Sequence, residues 1–147
     1  TCLNDARLGI SFGVLGAAEF CIEQVIDYGL NRNLFGSLLA EKQLYQSRIT
    51  DMTSEYNLGL LASLNVADHV DQATSHPEMI SLVKRNNCQK SLETARKARD
   101  MLGGNGITQE YNIFRHMVNL ETVNTYEGTH DIHTLILGKY LTNKEAF

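Results

Sequence analysis

The decapeptide Asn124-Thr-Tyr-Glu-Gly-Thr-His-Asp-Ile-His133 concentrates the residue types that could do chemistry in this chain. Glu127 stands on a short irregular link just before the last amphipathic run. Gly128 lets the backbone turn there without a Cβ clash. Thr129 is placed to cap the following helix, and Asp131 falls in its first turn, facing the positive end of the dipole. A carboxylate on a constrained link beside a helix N-terminus is suited to act as a general base at a bound substrate. The same residues also make an ordinary acidic helix start, so the decapeptide alone supports both readings.

Other segments carry paired readings too. In Arg32-Asn-Leu-Phe-Gly36, followed by Gln43, Arg32 suits the negative end of a helix, Phe35 a core plug and Gly36 a turn. Alternatively, the arginine contacts phosphate, the phenylalanine packs on a ring and the glutamine hydrogen-bonds a heterocycle. In Arg99-Asp-Met-Leu-Gly-Gly-Asn-Gly106 the clustered glycines offer N–H groups that can cradle a phosphate, although a helix stop needs only one of them. This segment follows a helix and not a strand, which excludes a Rossmann fingerprint. His130 and His133 lie three apart, with Asp131 between them and His116 upstream, but no HExxH or repeated ExxH pair accompanies them, so no metal site is expected. There is no nucleophile elbow. Cys2, Cys21 and Cys88 form no CxxC and cannot all pair. They fit a reducing compartment as small hydrophobes, with no neighbours that would activate a thiolate.

The elements that must position these groups read as helices. Apolar residues recur at a 3.6-residue period, with almost no strand-like alternation. The first run covers about Asn4 to Leu30, with Leu3, Ala6, Ile10, Val14, Ala17, Cys21, Val25 and Tyr28 on one side. Gly9, Gly13 and Gly16 weaken this helix and suggest close approach of a backbone or ligand, although tight helix packing would also explain them. The second run spans about Glu41 to Val70, with Leu44, Met52, Tyr56, Leu60, Leu64 and Ala67 inside. Pro77 opens a third, from about Glu78 to Leu102, which Gly103-Gly104-Asn105-Gly106 terminates. A short helix is expected from about Glu110 to Asn119, and a last one from about His130 to Thr142, carrying Ile132, Leu135, Ile136 and Tyr140. Brief connections between such helices give an all-α, antiparallel up-and-down bundle in a single domain spanning 1–147.

Composition agrees with a globular domain, at 147 residues, 43% hydrophobic and 20% charged. The net charge of −4 argues against general nucleic-acid binding. The basic residues Lys84-Arg85 and Lys90 to Arg99 read as a solvated helix stripe. No uninterrupted apolar stretch approaches the ~18 residues of a membrane span, and no targeting signal is visible. Opening on Thr1, the chain reads as a processed or excised piece.

In order along the chain, Asn4-Asp-Ala-Arg7, Arg32-x-x-Phe-Gly36, Gln43, Leu102-Gly-Gly-Asn-Gly106 and Tyr126-Glu-Gly-Thr129 resemble the C-terminal domain of the acyl-CoA dehydrogenase flavoenzymes. The match extends over essentially the whole chain. Within that family, the decapeptide together with Lys84-Arg-Asn-Asn-Cys88 and Ala98-Arg-Asp-Met-Leu-Gly-Gly-Asn-Gly106 looks like the glutaryl-CoA dehydrogenases. Many relatives carry Ser and Glu or Gln where this chain has His130 and Asp131.

The resemblance implies that Glu127 removes the α-proton of an acyl thioester while the β-hydride passes to FAD. In the glutaryl-specific branch the γ-carboxylate then leaves as carbon dioxide, giving crotonyl-CoA, a step of lysine degradation. It further implies substrate contacts at Asn4, Arg7 and Gly128. Implied FAD contacts are Arg32, Phe35 and Gln43, then Asp100, Met101, Leu102, Gly103 and Gly104, then Thr129, His130 and Asp131, and Phe147. The family's flavin lies across a subunit interface, so some of these would serve a neighbouring protomer in a homotetramer. Electron-transfer flavoprotein would accept the electrons, in the mitochondrial matrix of a eukaryote or the cytoplasm of a bacterium. The family's N-terminal helical domain and middle β-domain, which cover the flavin ring and hold most of the acyl pocket, have no counterpart in this sequence. Two alternatives remain: a dehydrogenase of another short-chain acyl-CoA that does not decarboxylate, and a non-catalytic helical oligomerisation module.

Overall fold

The computed structural model describes residues 2–146, so Phe147 lies outside the described residues. Five helices carry the fold: α1 (Cys2–Asn31), α2 (Gln43–Asp71), α3 (Pro77–Met101), α4 (Ile113–Thr125) and α5 (His130–Thr142). Polar contacts fix their directions. Ser11 meets Ser63 at 3.2 Å and the Tyr45 hydroxyl donates to the Val25 carbonyl at 2.8 Å, so α2 runs antiparallel to α1. Asn87 donates to Ser63 at 2.8 Å and Arg48 pairs with Asp100 at 2.7 Å, so α3 turns back along α2. The rings of Phe20 and His116 lie 4.7 Å apart while Arg7 reaches Glu127, so α4 descends beside α1. The result is the expected up-and-down bundle, with α1 and α3 running the same way at its centre.

The core lies between α1 and α3 and is closed by α2 and α4. Val14, Cys21, Val25, Met52, Cys88, Leu92, Ala95, Ile113 and Leu120 are its buried members. The buried cysteines pack as hydrophobes. Burial pushes their thiol pKa values up, to about 12 for Cys21 and about 11 for Cys88, so neither is a nucleophile. Asn87 braces the crossing of three helices, donating to the carbonyls of Ser11 (3.1 Å) and Gly59 (3.2 Å) as well as to Ser63. α1 reaches a mean hydropathy of 1.4 over an 18-residue window, so it has the length and composition of a spanning helix although no apolar run is unbroken. Its packing against α2, α3 and α4 is that of a core helix.

Several expectations need correction. A two-residue hairpin, β1 (Asn33–Leu34) with β2 (Ser37–Leu38), follows α1. Phe35 and Gly36 form its turn with φ of +54° and +79°, and Phe35 is 89% exposed, so it is no core plug. α4 begins only at Ile113, because Asn112 takes a left-handed conformation after a 3₁₀ turn, and it runs on to Thr125. Leu44 and Leu64 are 80% and 48% exposed, and Ile132, Leu135 and Tyr140 also face outward. Periodicity marks residues as apolar at helical spacing but does not say whether the same chain covers them.

Three of the four α1 glycines face open space, since a Cβ at Gly9, Gly13 or Gly16 would meet nothing within 4 Å, whereas one at Gly29 would strike the Tyr45 ring. Gly59 differs, as a Cβ there would lie 2.7 Å from Asn87 Oδ1 and 3.2 Å from a Leu15 methyl. Gly59→Ala is therefore expected to destabilise the chain by about 1–3 kcal/mol. Gly13→Ala should be neutral or stabilising, by up to about 1 kcal/mol. Urea unfolding of the two variants beside the unsubstituted chain checks this opposite sign.

Candidate active site

α4 ends at Thr125 and α5 starts at His130, leaving Tyr126–Thr129 as a tight link. Thr129 caps α5 as expected, its Oγ1 accepting from the Ile132 N–H at 3.2 Å, and Asp131 sits in the first turn. The sharp turn falls on two residues. Gly128 has φ +94°, and Glu127 itself has φ +55°. A side-chain-bearing residue in that region costs about 1–2 kcal/mol, so other contacts must hold it there.

Those contacts come from three helices. Lys84 of α3 is 1% exposed, and its ammonium donates to the carbonyls of Val123 (3.2 Å), Tyr126 (3.0 Å) and Gly128 (2.7 Å). Three acceptors match the three N–H donors of a charged lysine. Burial pulls the Lys84 pKa below its ordinary value; Cys88 and Glu127 partly oppose this and Arg7 reinforces it. Arg7 Nε of α1 donates to the Glu127 carbonyl at 3.0 Å. His133 of α5, fully buried, brings Nε2 to 3.2 Å from the same carbonyl. A carbonyl only accepts, so Nε2 carries the proton. Burial, aided by Lys84 and then Arg7, pushes the His133 pKa down to about 4, which leaves the ring neutral near pH 7. A Cβ on Gly128 would lie 2.8 Å from this nitrogen, so the ring also demands glycine there.

The Glu127 carboxylate stays free. Its Oε2 is buried without a hydrogen-bond partner, as are Asn124 Oδ1 and His133 Nδ1 nearby in sequence. Among the described residues no ion pair engages it. Tyr126 borders an apolar groove of about 630 Å³ walled by Ala6, Ile10, Gly13, Leu120 and Val123. A half-buried carboxylate with an unpartnered oxygen, one residue beyond Tyr126, can take a proton from a ligand that reaches it.

A second groove, of about 360 Å³, lies at the other end of α3. It brings Arg32 together with Asp100, Met101, Leu102, Gly103 and Gly104. The side chains of Met101 and Leu102 belong to the core, so only their main chain can meet a ligand. Gly103 has φ +59°, and a Cβ on Gly106 would strike the Arg99 carbonyl, whereas one on Gly104 would meet open space. The helix stop therefore accounts for two of the glycines and leaves Gly104 lining the groove. Asp100 is ion-paired to Arg48, and Phe35 and Gln43 stand exposed outside this groove. Sixteen residues of α3 separate Lys84 from Asp100, roughly 24 Å, so the two sites are distinct on one chain.

Sequence reasoning missed Lys84 and His133. Lys84 was read as part of a solvated stripe, yet it lies on the buried face of α3 with Ile80, Asn87, Cys88, Ser91 and Ala95. A lysine in register with that stripe was the available signal. Of the remaining cations, Lys90 does pair at the surface with Glu55 and Glu93, and Arg96 with Glu121. His130 and His133 do not converge, and among the described residues no three His, Cys, Asp or Glu side chains gather.

Residues 1–142 match the family described as acyl-CoA dehydrogenase, C-terminal domain, and the chain belongs to it. It is similar to a glutaryl-CoA dehydrogenase from Mycobacterium smegmatis, at 47% identity and a TM-score of 0.97, covering 99% of this chain and 38% of that one. A glutaryl-CoA dehydrogenase from the same organism in complex with FADH2 matches at 46% identity and a TM-score of 0.97, again over 99% and 38%. An acyl-CoA dehydrogenase of Bacillus subtilis (strain 168) is 29% identical over 95% of this chain and 37% of its own length. The chain thus spans little more than a third of these relatives.

The low His133 pKa sets a pH dependence. The unfolded chain binds a proton at this ring below about 6.5, while the folded chain resists it down to about 4. The stabilisation is complete above pH 6.5 and drains away as pH falls toward 4, by at most roughly 3 kcal/mol. His133→Gln, which keeps a donor for the Glu127 carbonyl, should flatten this acid limb. Urea unfolding at the two ends of the window measures it, and an unaltered limb would refute the assignment.

Proposed function

We propose that the chain is the C-terminal portion of an FAD-dependent glutaryl-CoA dehydrogenase, with Glu127 as the base that removes the substrate α-proton. The observation that carries this reading is the buried, unpartnered Glu127 Oε2 on a link whose main chain is pinned from three helices. The 47% identity to a glutaryl-CoA dehydrogenase supports the choice of substrate within the family.

A thioester α-proton is weakly acidic, so the base must be positioned and kept from water as the thioester approaches. Glu127 meets both needs, and the groove beside Tyr126 receives the acyl portion against the domains that precede this one. Asn4 and Arg7 at the start of α1, with Gly128, lie where the CoA thioester is held. The α,β-unsaturated thioester then loses its γ-carboxylate as carbon dioxide, and protonation of the resulting dienolate at the γ-carbon gives crotonyl-CoA.

The second groove has the donors a dinucleotide phosphate needs: an exposed guanidinium at Arg32 and a main-chain turn left open at Gly104. When bound, FAD supplies the acceptor for the β-hydride. Arg32, Gln43, Phe35 and the Asp100–Gly104 segment hold its phosphate and adenine parts, while Thr129, His130 and Asp131 contact FAD beside the base. With the two sites roughly 24 Å apart along α3, the groove of one protomer serves the flavin of a neighbour. The exposed apolar faces of α2 (Leu58, Leu61, Leu64) and α5 (Ile132, Leu135) supply surface for a homotetramer. Electron-transfer flavoprotein is the acceptor, and the enzyme works in the matrix of mitochondria or in the bacterial cytoplasm.

In the full-length protein, Glu127→Gln should retain FAD but reduce it with glutaryl-CoA at least ~10³-fold more slowly, a loss of about 4 kcal/mol or more in transition-state stabilisation. Stopped-flow absorbance of the flavin, with carbon dioxide trapped from the unsubstituted enzyme, checks both claims. Unchanged reduction would remove Glu127 as the base, and reduction without carbon dioxide would point to a non-decarboxylating relative. Arg32→Ala should lower the flavin content of purified protein while leaving its helical circular dichroism intact; wild-type flavin content would exclude the cofactor role.

A further inference from the structure

We infer that Lys84 is the positioning residue of the active site, aiming the Glu127 carboxylate through the main chain without touching substrate. The inference rests on Glu127 being the base, as proposed above. Nothing in the comparisons assigns a role to this lysine.

The geometry is unusual for a lysine. Its ammonium is buried and meets no carboxylate within ion-pairing distance among the described residues. All three of its N–H donors go to main-chain carbonyls on both sides of one residue: Val123 and Tyr126 before Glu127, and Gly128 after it. A buried charge is costly, and such a group persists where its hydrogen bonds are complete. Here they are complete only while the link keeps its bent path. If Glu127 relaxed out of the left-handed region, the Tyr126 and Gly128 carbonyls would swing away from a common donor. Charge and strain therefore hold each other in place, and the product of that balance is a fixed direction for the Glu127 side chain.

A chain-stabilising role alone would not require acceptors bracketing the base. Arg7 and His133 secure the fourth carbonyl, that of Glu127 itself, so the link has no carbonyl free to reorient between Tyr126 and Gly128. Unlike Arg7, a proposed substrate contact, and unlike His133, which reaches only the Glu127 carbonyl, Lys84 is buried and bonds to carbonyls on both sides of Glu127. It is therefore the one whose loss separates aim from binding.

The test uses the full-length FAD-loaded protein with Lys84→Met, a near-isostere without donors, and Lys84→Gln, which keeps two N–H donors. Reduction of bound flavin by glutaryl-CoA, expressed per flavin retained, should fall about 10²-fold in Lys84→Met, since a misplacement near 1 Å costs that much. It should fall less in Lys84→Gln, with the substrate concentration for half-saturation little changed in either. Hydrogen exchange should accelerate across residues 123–133 and stay at the wild-type level in the core of α1 and α3. Reduction per flavin within about two-fold of wild type in Lys84→Met would overturn the inference, as would loss of flavin and fold in both variants, which would assign Lys84 to the fold alone. Glu127→Gln is run beside them. If it too reduces flavin normally, the reading of the base has failed; if it is inactive while Lys84→Met is not, only the present inference has.

Discussion

Four carbonyls, that of Val123 near the end of α4 and those of Tyr126, Glu127 and Gly128 in the link, take side-chain donors from other helices and not from the link's own backbone. The turn spends two residues in left-handed conformations, which breaks the helical ladder without starting another. Buried carbonyls must find donors, at a cost of about 1–3 kcal/mol for each one left without. Lys84, Arg7 and His133 supply them from α3, α1 and α5. This is the constraint on which the site depends, for it ties the direction of a single carboxylate to the relative placement of every central helix.

The bundle is arranged so that these donors arrive together. α1 and α3 run in the same direction, which brings Arg7 and Lys84 to one end of the domain and Arg32 and Asp100 to the other. Their relative slide is limited by the Asn87 brace, where one amide reaches Ser11, Gly59 and Ser63 across three helices. A shift of α3 by one turn, ~5.4 Å, would break that brace and empty the Lys84 position at once. Packing in the middle of the bundle thus controls geometry at both ends.

Much of this was legible in the sequence. Pro77 marked the start of α3, Thr129 the cap of α5, and Gly128 the turn, because each acts through local chemistry that a short window contains. The bundle followed from helical periodicity. What was hidden depends on contacts between distant segments. Lys84 looked like a member of a charged run, and only the α4–α5 link, some forty residues further on, turns its burial into a satisfied state. His133 stood out in the sequence only for its spacing from His130, and nothing local shows that its partner is a backbone carbonyl. Phe35 carried two readings, a core plug or a contact to a ligand ring, because hydrophobicity does not reveal whether the surface that covers it lies in the same chain.

That last point extends to whole faces. α2 exposes Leu44, Leu58, Leu61 and Leu64, and α5 exposes Ile132 and Leu135, on a chain that spans 38% of the glutaryl-CoA dehydrogenase it matches. Surface of this kind is seldom left in water when the rest of a protein is present. The apolar groove beside Tyr126 has the same character, with small residues on α1 leaving room that nothing among the described residues fills. The main chain of Glu127 is thus held by contacts from α1, α3 and α5, while the groove beside Tyr126 stays open. Such a division suits the role proposed for Glu127: the direction of its carboxylate is set by the fold that carries it, and its exposure to water changes only when something closes over the groove.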